Sequence, residues 1–378
     1  MPDMFLFRSF PARVLTGMNR TKSSEIEHGR AAGSNESGRF ERERREAFDD
    51  GWETIDEPAP RCETIYARDA AKTILARNDS PDIPFDRSIN PYRGCEHGCI
   101  YCFARPSHAY LGLSPGLDFE SRIFVKEEAP LLLRAELARP SYQCRTIALG
   151  ANTDPYQPAE RRFQLTRRIL EVLHELRHPV SIVTKSAMVA RDSDILAEMA
   201  RLRLASVAIS LTTLDRKLAR AMEPRAATPQ RRLDTMRALS SAGIPVCVLA
   251  SPMIPALNDS ELDAILEAAA AHGAEAAGTI LLRLPLELGP LFEDWLNRHC
   301  PDKAGHVLSL VRQTRGGKIY SSQWGRRMTG TGPYAELLQL RFDKACKRLG
   351  LNRRRTAFDL DRTLFRPPAR PGDQLELW

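Results

Sequence analysis

The 378-residue chain has no apolar run of the roughly 18 residues that a membrane-spanning helix needs, so nothing in it reads as a bilayer anchor. A disulfide framework is missing as well. Of eight cysteines, Cys62, Cys144, Cys247, Cys300 and Cys346 are scattered singly, the other three crowd into one short loop, and no clear secretory signal precedes them. The scattered five read as small buried hydrophobes in a reducing, cytoplasmic compartment. Neither Gly316-Gly317 nor Gly330-Thr331-Gly332 fits the glycine and lysine spacing of a phosphate-binding P-loop. His97, His108, His174 and His178 have no Ser, Cys or carboxylate at a recognisable catalytic spacing, which excludes the familiar hydrolytic constellations.

What is present permits a large enzyme. With 43% hydrophobic residues the chain can bury a substantial core, and its net charge of +7 favours a polyanionic partner. Residues 1–60 differ from the rest. The first 24 contain one acidic residue, Asp3, beside several Arg and Lys, like a transit peptide or a start codon placed too far upstream. Residues 29–38 are rich in Gly, Ser and Asn, and 39–57 carry eight acidic and four basic residues with little apolar periodicity, so 1–60 reads as a flexible, solvated arm with Trp52 as its one anchor.

From about Ser88 the pattern alternates strand and helix. The apolar run 146–149 ends at Gly150, and Leu165, Ile169, Val172, Leu173 and Leu176 then repeat at helical spacing. The unit recurs at 180–184 with 193–202, at 205–211 with a helix opened by Thr228-Pro229 and closed by Gly243, at 245–250 with 259–272, and at 279–284 with a helix holding Phe292, Trp295 and Leu296. Counting a strand before Cys95, six β/α units result, compatible with a six-unit barrel, a full barrel or an open parallel sheet. The expected division is an arm (1–60), a β/α core (61–300) and a helical C-terminal extension (301–378). Candidate site residues all fall just beyond strand ends, where parallel α/β folds bind ligands.

The densest chemistry lies in Cys95, Cys99 and Cys102, spaced C-x3-C-x2-C with Tyr101 before the last. Three thiolates make an incomplete metal site. In a [4Fe–4S] cubane they leave one iron with an open position for a small molecule; a tetrahedral zinc site would need a fourth ligand, for which His97 or His108 is available. Arg93 and Gly94 are expected to give Cys95 positive charge and close backbone approach, with Gly98 doing the latter beside Cys99.

The stretch Asn90-Pro-Tyr-Arg-Gly-Cys-Glu-His-Gly-Cys-Ile-Tyr-Cys-Phe-Ala-Arg105 resembles the radical S-adenosylmethionine (radical SAM) superfamily, and with Asn152-Thr-Asp-Pro-Tyr156 and Thr184-Lys-Ser186 its spore photoproduct lyase-like branch, related to DNA repair photolyases. The likeness covers about residues 85–285. It implies a partial (β/α)6 TIM-like barrel and a [4Fe–4S] cluster on Cys95, Cys99 and Cys102. It also implies reductive cleavage of S-adenosylmethionine to a 5′-deoxyadenosyl radical, fed by an electron donor such as flavodoxin or ferredoxin. Lys185 matches a lysine that contacts S-adenosylmethionine in that branch. Asn152 or Asp154 would reach its amine or ribose, Ser210 its ribose hydroxyls, and Tyr101 its adenine. On the residues alone, Lys185 can also be read as a solvated strand-end lysine and Ser210 as a satisfied core hydroxyl. One departure matters: the lyases return a hydrogen atom from a cysteine near the end of their second strand, and Ala151-Asn152-Thr153 offers no thiol.

For a partner, the strip 341–355, beginning at Arg341 and ending at Arg355, has seven basic residues and one acidic, with Phe342 and Leu349 interleaved. That suits phosphate neutralisation and base stacking, or else an amphipathic surface helix with solvated charges. Three functions stay open: a radical SAM enzyme on nucleic acid, one on a peptide or small molecule, and a non-catalytic iron–sulfur or zinc protein.

Overall fold

The computed structural model of the chain describes residues 30–41, 62–353 and 358–368. Trp52, most of the N-terminal arm, and Arg354 and Arg355 lie outside these.

Six parallel strands, β1 (Arg87–Ile89), β2 (Ile147–Leu149), β3 (Val180–Thr184), β4 (Ala205–Ser210), β5 (Val246–Met253) and β6 (Ala276–Leu281), stand side by side in chain order. A two-residue strand, Ala76–Arg77, joins β1 antiparallel at the far edge, and the two edges of the sheet do not pair with each other. Each strand is followed on the outside by a helix: α1 (Ala129–Leu137), α2 (Leu165–Glu175), α3 (Ser193–Arg201), α4 (Pro229–Ser241), α5 (Leu262–Ala271) and α6 (Leu288–His299). This is the partial (β/α)6 barrel that the resemblance implies. The elements form for local reasons. On α2 the buried residues include Leu165, Ile169, Val172 and Leu173, one stripe at helical spacing. At α4, Thr228 Oγ1 accepts the Arg231 N–H, Pro229 occupies the first turn, and Gly243 ends the run at φ +78°. Every residue of β4 is buried, as a central strand covered on both faces requires.

Strand β6 begins and ends three residues earlier than its apolar run. Leu282, whose N–H still bonds to Met253 O at 2.9 Å, and Leu284 stay buried because they enter a second core with Ile100, Tyr101, Phe292, Trp295 and Val307. Two more helices, α7 (Pro301–Gln313) and α8 (Pro333–Leu349), follow. Ala304, Val307, Leu308 and Val311 of α7 belong to that second core, so the C-terminal extension is packed into the barrel domain.

Between α7 and α8 the chain closes the gap between the sheet edges. Arg315, 5% exposed, donates to the carbonyls of Leu281 (3.2 Å) and Leu282 (2.7 Å) at the end of β6 and to those of Arg326 and Arg327 (both 2.9 Å). Leu281 N–H bonds to Met328 O at 2.8 Å. Across the gap, Asp82 takes the Gly325 N–H at 2.6 Å and the Arg327 guanidinium. Residues 325–328 are therefore a strap from β6 to the turn before β1.

The segment expected to be a solvated arm is partly packed: Arg30, Ala31 and Ala32 are 7%, 2% and 2% exposed. No helix among the described residues is long and apolar enough to cross a membrane.

Candidate functional site

The Cys95–Cys102 loop leaves β1 and folds over the carboxyl ends of the strands. Gly94 (φ +78°) and Gly98 (φ +67°) are left-handed, and a Cβ on Gly98 would stand 2.5 Å from Glu120 Oε2. Cys95 N–H bonds to Phe119 O at 2.9 Å and Ile100 N–H to Met222 O at 3.0 Å. Ile100 is fully buried in the second core, which holds the loop by about 1.5–3 kcal/mol, more than the ~1 kcal/mol of a typical hydrogen bond. The loop is fixed chiefly from its apolar side.

Two buried ionic groups clamp its ends. The fully buried Arg105 donates to the carbonyls of Cys99 (2.9 Å), Gly98 (3.0 Å), Pro115 (3.0 Å) and Gly116 (2.9 Å) and pairs with the equally buried Glu120. Glu120 also accepts the Ala31 and Ala32 N–H groups at 3.2 and 3.0 Å. Nearer Cys95, Glu96 pairs with Arg225 at 3.0 Å and accepts from Thr64 and Tyr66, while Gln157 bonds both Glu96 N–H and Gly94 O.

Cys95 and Cys99 are each 7% exposed, Cys102 is half-buried, and all three are free thiols. Burial pushes the Cys95 thiol well up, and so do Asp154, Cys99 and Cys102. Cys99 and Cys102 are thus near enough to Cys95 for their charges to be felt there. Among the described residues no group of three or more His, Cys, Asp and Glu side chains converges as a single metal ion requires. A cubane asks for less convergence, since each thiolate binds a different iron, and this donor set fits it. His97 sits against Asp154, and His108 Nε2 lies 3.0 Å from Arg122 O, so both histidines have other partners.

The cation near these thiols is not the expected one. Arg93 points outward and pairs with Asp69 at 2.8 Å, because alternation along the two-residue strand Tyr92–Arg93 buries Tyr92 and turns Arg93 to the surface. Lys185 takes that place: burial raises the Cys99 thiol, and the Lys185 ammonium works against it.

Of the five other candidate residues, Tyr101 belongs to the loop, and Lys185 and Asp154 are brought against it. Lys185 Nζ lies over the Tyr101 ring, 5.7 Å from its centroid. The Tyr101 hydroxyl donates to Glu223 and stands 3.0 Å from Thr212 Oγ1, so this ring already has an ammonium on one face and its hydroxyl engaged. Asp154 accepts from Thr184 Oγ1, Lys185 N–H (both 2.7 Å) and Tyr156 N–H (2.9 Å), with His97 Nδ1 3.3 Å away at an angle unsuited to hydrogen bonding. Both oxygens thus tie the loop after β2 to the end of β3. Ser210 donates to Ser251 O at 3.2 Å, the satisfied strand hydroxyl. Asn152 is exposed, and its backbone N–H bonds to Asn90.

Burial alone would raise the Asp154 carboxyl, but His97, Lys185 N–H and Thr184 outweigh it and hold it at about 2, against 3.8 ordinarily. A carboxyl with a lowered folded pKa stabilises the fold above its ordinary value, and the benefit disappears as pH falls towards 2. Asp154 is expected to contribute about 2 kcal/mol at neutral pH. In urea titrations, the gap between wild type and Asp154→Asn should shrink between pH 4 and pH 2; a gap independent of pH rejects this account.

Sequence reasoning missed Glu223 and Arg232. Both are 2% exposed and paired, with Arg232 also holding Ser210 O at 2.9 Å and Ala227 O at 2.8 Å. They fix the Tyr101 hydroxyl, and no spacing rule links a glutamate after one helix to an arginine inside the next.

The basic strip lies elsewhere. Helix α8 packs on α5 along the outer wall, where Arg341 pairs with Asp263 (2.8 Å), Arg348 with Glu267 (2.5 Å), and Phe342 is 7% exposed. As far as Leu349 the strip is part of an amphipathic surface helix whose charges are partly neutralised within the chain.

The family model for the Radical SAM superfamily matches residues 89–269. An uncharacterized protein of Mycobacterium tuberculosis, Rv2578c, is 41% identical over 233 residues, 61% of this chain and 68% of that one. Another, MJ0683 of Methanocaldococcus jannaschii, is 31% identical over 173 residues, 46% of this chain and 62% of that one. Among solved structures, spore photoproduct lyase complexed with dinucleoside spore photoproduct matches with a TM-score of 0.55 at 14% identity, covering 76% of this chain and 80% of that one. A variant of the same lyase with bound AdoMet and dinucleoside spore photoproduct matches with a TM-score of 0.53.

Proposed function

The chain belongs to the radical SAM superfamily, and we propose that it is an enzyme whose Cys95, Cys99 and Cys102 hold the cluster and whose substrate is a nucleic acid. The superfamily's cofactors are a [4Fe–4S] cluster and S-adenosylmethionine. Together they supply one-electron cleavage of the sulfonium to methionine and a carbon-centred 5′-deoxyadenosyl radical able to take a hydrogen atom from a substrate.

The protein's part is to bind, orient and exclude water. The carrying observation is Lys185: its ammonium is held over the Tyr101 ring, beside the loop of the three thiols, with no carboxylate partner among the described residues. A methionyl carboxylate suits that cation. Tyr101 is kept in place by Glu223 and Thr212, and Lys185 by Asp154 through its backbone N–H, so the cation is positioned before any ligand arrives. A flavodoxin or ferredoxin is the proposed electron donor.

The nucleic-acid reading is supported by the net positive charge and by the dinucleoside spore photoproduct with which the fold neighbour is complexed. The proposal does not use hydrogen return from a second-strand thiol: Ala151, Asn152 and Thr153 follow β2, and Cys144 precedes the strand at its opposite end.

Anaerobically reconstituted, reduced protein is expected to release 5′-deoxyadenosine from S-adenosylmethionine, measured by chromatography; none released rejects the enzyme reading. Lys185→Ala should raise the dissociation constant for S-adenosylmethionine about tenfold to a hundredfold, the loss of a charge-assisted hydrogen bond of roughly 1.5–3 kcal/mol, with iron content unchanged. Unaltered affinity removes Lys185 from the binding site.

A further inference from the structure

Arg283 follows β6 by two residues and lies over the ring of Phe103, its guanidinium carbon 5.1 Å from the centroid. Phe103 comes directly after Cys102 and is 42% exposed, so the pair stands at the mouth of the cysteine loop. Arg283 is half-buried, yet its Nε is enclosed without a hydrogen-bond partner, and Nη1 meets only the Met328 thioether, at 3.4 Å. Asp82 is near enough to feel its charge but is bonded to Arg327 and Gly325 N–H. Among the described residues no carboxylate pairs with Arg283. A partly desolvated cation is costly unless something negative completes it.

Its surroundings say what kind of anion. Trp324, 56% exposed, precedes the strap residue Gly325, and exposed Arg326 follows. A guanidinium stacked on one exposed aromatic ring, with a second exposed aromatic on the approach to the strap whose Met328 it touches, suits a single strand, with phosphate on the cation and bases on the rings. A carboxylate ligand would leave the aromatics without purpose.

We propose that Arg283, stacked on Phe103, is the phosphate anchor of a nucleic-acid strand that enters across Trp324 to the cysteine loop. This rests on the nucleic-acid reading given above and moves the strand from the outer wall to the barrel mouth.

The test uses the reconstituted full chain and a fluorescein-labelled single-stranded oligothymidylate of about 15 nucleotides, with anisotropy followed across a salt series. Wild type is expected to bind with salt-dependent affinity. Arg283→Gln should bind about tenfold more weakly, with a salt slope shallower by about 0.7, the share of one phosphate contact. Arg283→Lys should keep the slope and lose part of the affinity, since a stacked, forked cation is replaced by a point charge. Absent or salt-independent binding by wild type overturns the nucleic-acid reading and the anchor with it. Binding by Arg283→Gln with unchanged affinity and slope overturns the anchor alone. Iron content and circular dichroism report whether that variant folds. If it does not, Phe103→Leu, which removes the supporting ring, decides: weakening by severalfold upholds the anchor and unaltered affinity overturns it.

Discussion

Cys99→Ala should lose its cluster: after anaerobic reconstitution, iron and acid-labile sulfide fall from about four of each per chain to near background, and the broad visible absorbance disappears. The same holds for Cys95→Ala and Cys102→Ala. The effect is large because the loop has no spare ligand: His97 faces Asp154 and His108 faces the Arg122 carbonyl. Controls are built into the fold. Cys144 precedes β2, and Cys247, at the start of β5, neighbours Cys346 on α8, so Cys144→Ala and Cys247→Ala should keep full iron. A cluster that survives the loss of Cys99 would overturn the ligand assignment.

Arg105→Leu should be the most destabilising single change. It removes the guanidinium from the buried Glu120 carboxylate and takes one donor from each of four carbonyls, and breaking a buried pair from one side costs about 3–5 kcal/mol. Urea denaturation measures it. The double variant Arg105→Leu with Glu120→Gln should lose less than the two single changes together, because no uncompensated charge remains. Strict additivity would mean that the two side chains do not act as a pair.

Much of the barrel was legible because its signals are local. Thr228-Pro229 and Gly243 bracket α4, the stripe from Leu165 to Leu173 marks α2, and left-handed glycines flank Cys95 and Cys99. Errors arose where chain neighbours are not spatial neighbours. Arg93 is two residues from Cys95 yet pairs with Asp69, whereas Lys185, ninety positions further on, supplies the charge. The strip after Arg341 reads as a basic surface until Asp263 and Glu267 of α5 face it. Residues 29–38 look solvated by composition, but backbone N–H groups, which every residue type carries, hold Ala31 and Ala32 on Glu120. Glu223 with Arg232, and Arg315 on the β6 carbonyls, belong to the same class: buried polar contacts across long separations leave no periodic trace.

The grip of Arg30, Ala31 and Ala32 on residue 120 bears on modularity. Arg30 donates to Glu120 O and, through Thr64, reaches the network around Glu96, so both ends of the cysteine loop lean on a segment some sixty residues upstream of it. The family match, 89–269, includes neither that segment nor β6 and Arg315. An excised or fused cassette cut to those bounds would carry Glu120 without three of its donors and a barrel without its last strand. A piece that keeps these contacts runs from Arg30 through the strap and α8, and a linker attached at either side must leave both intact.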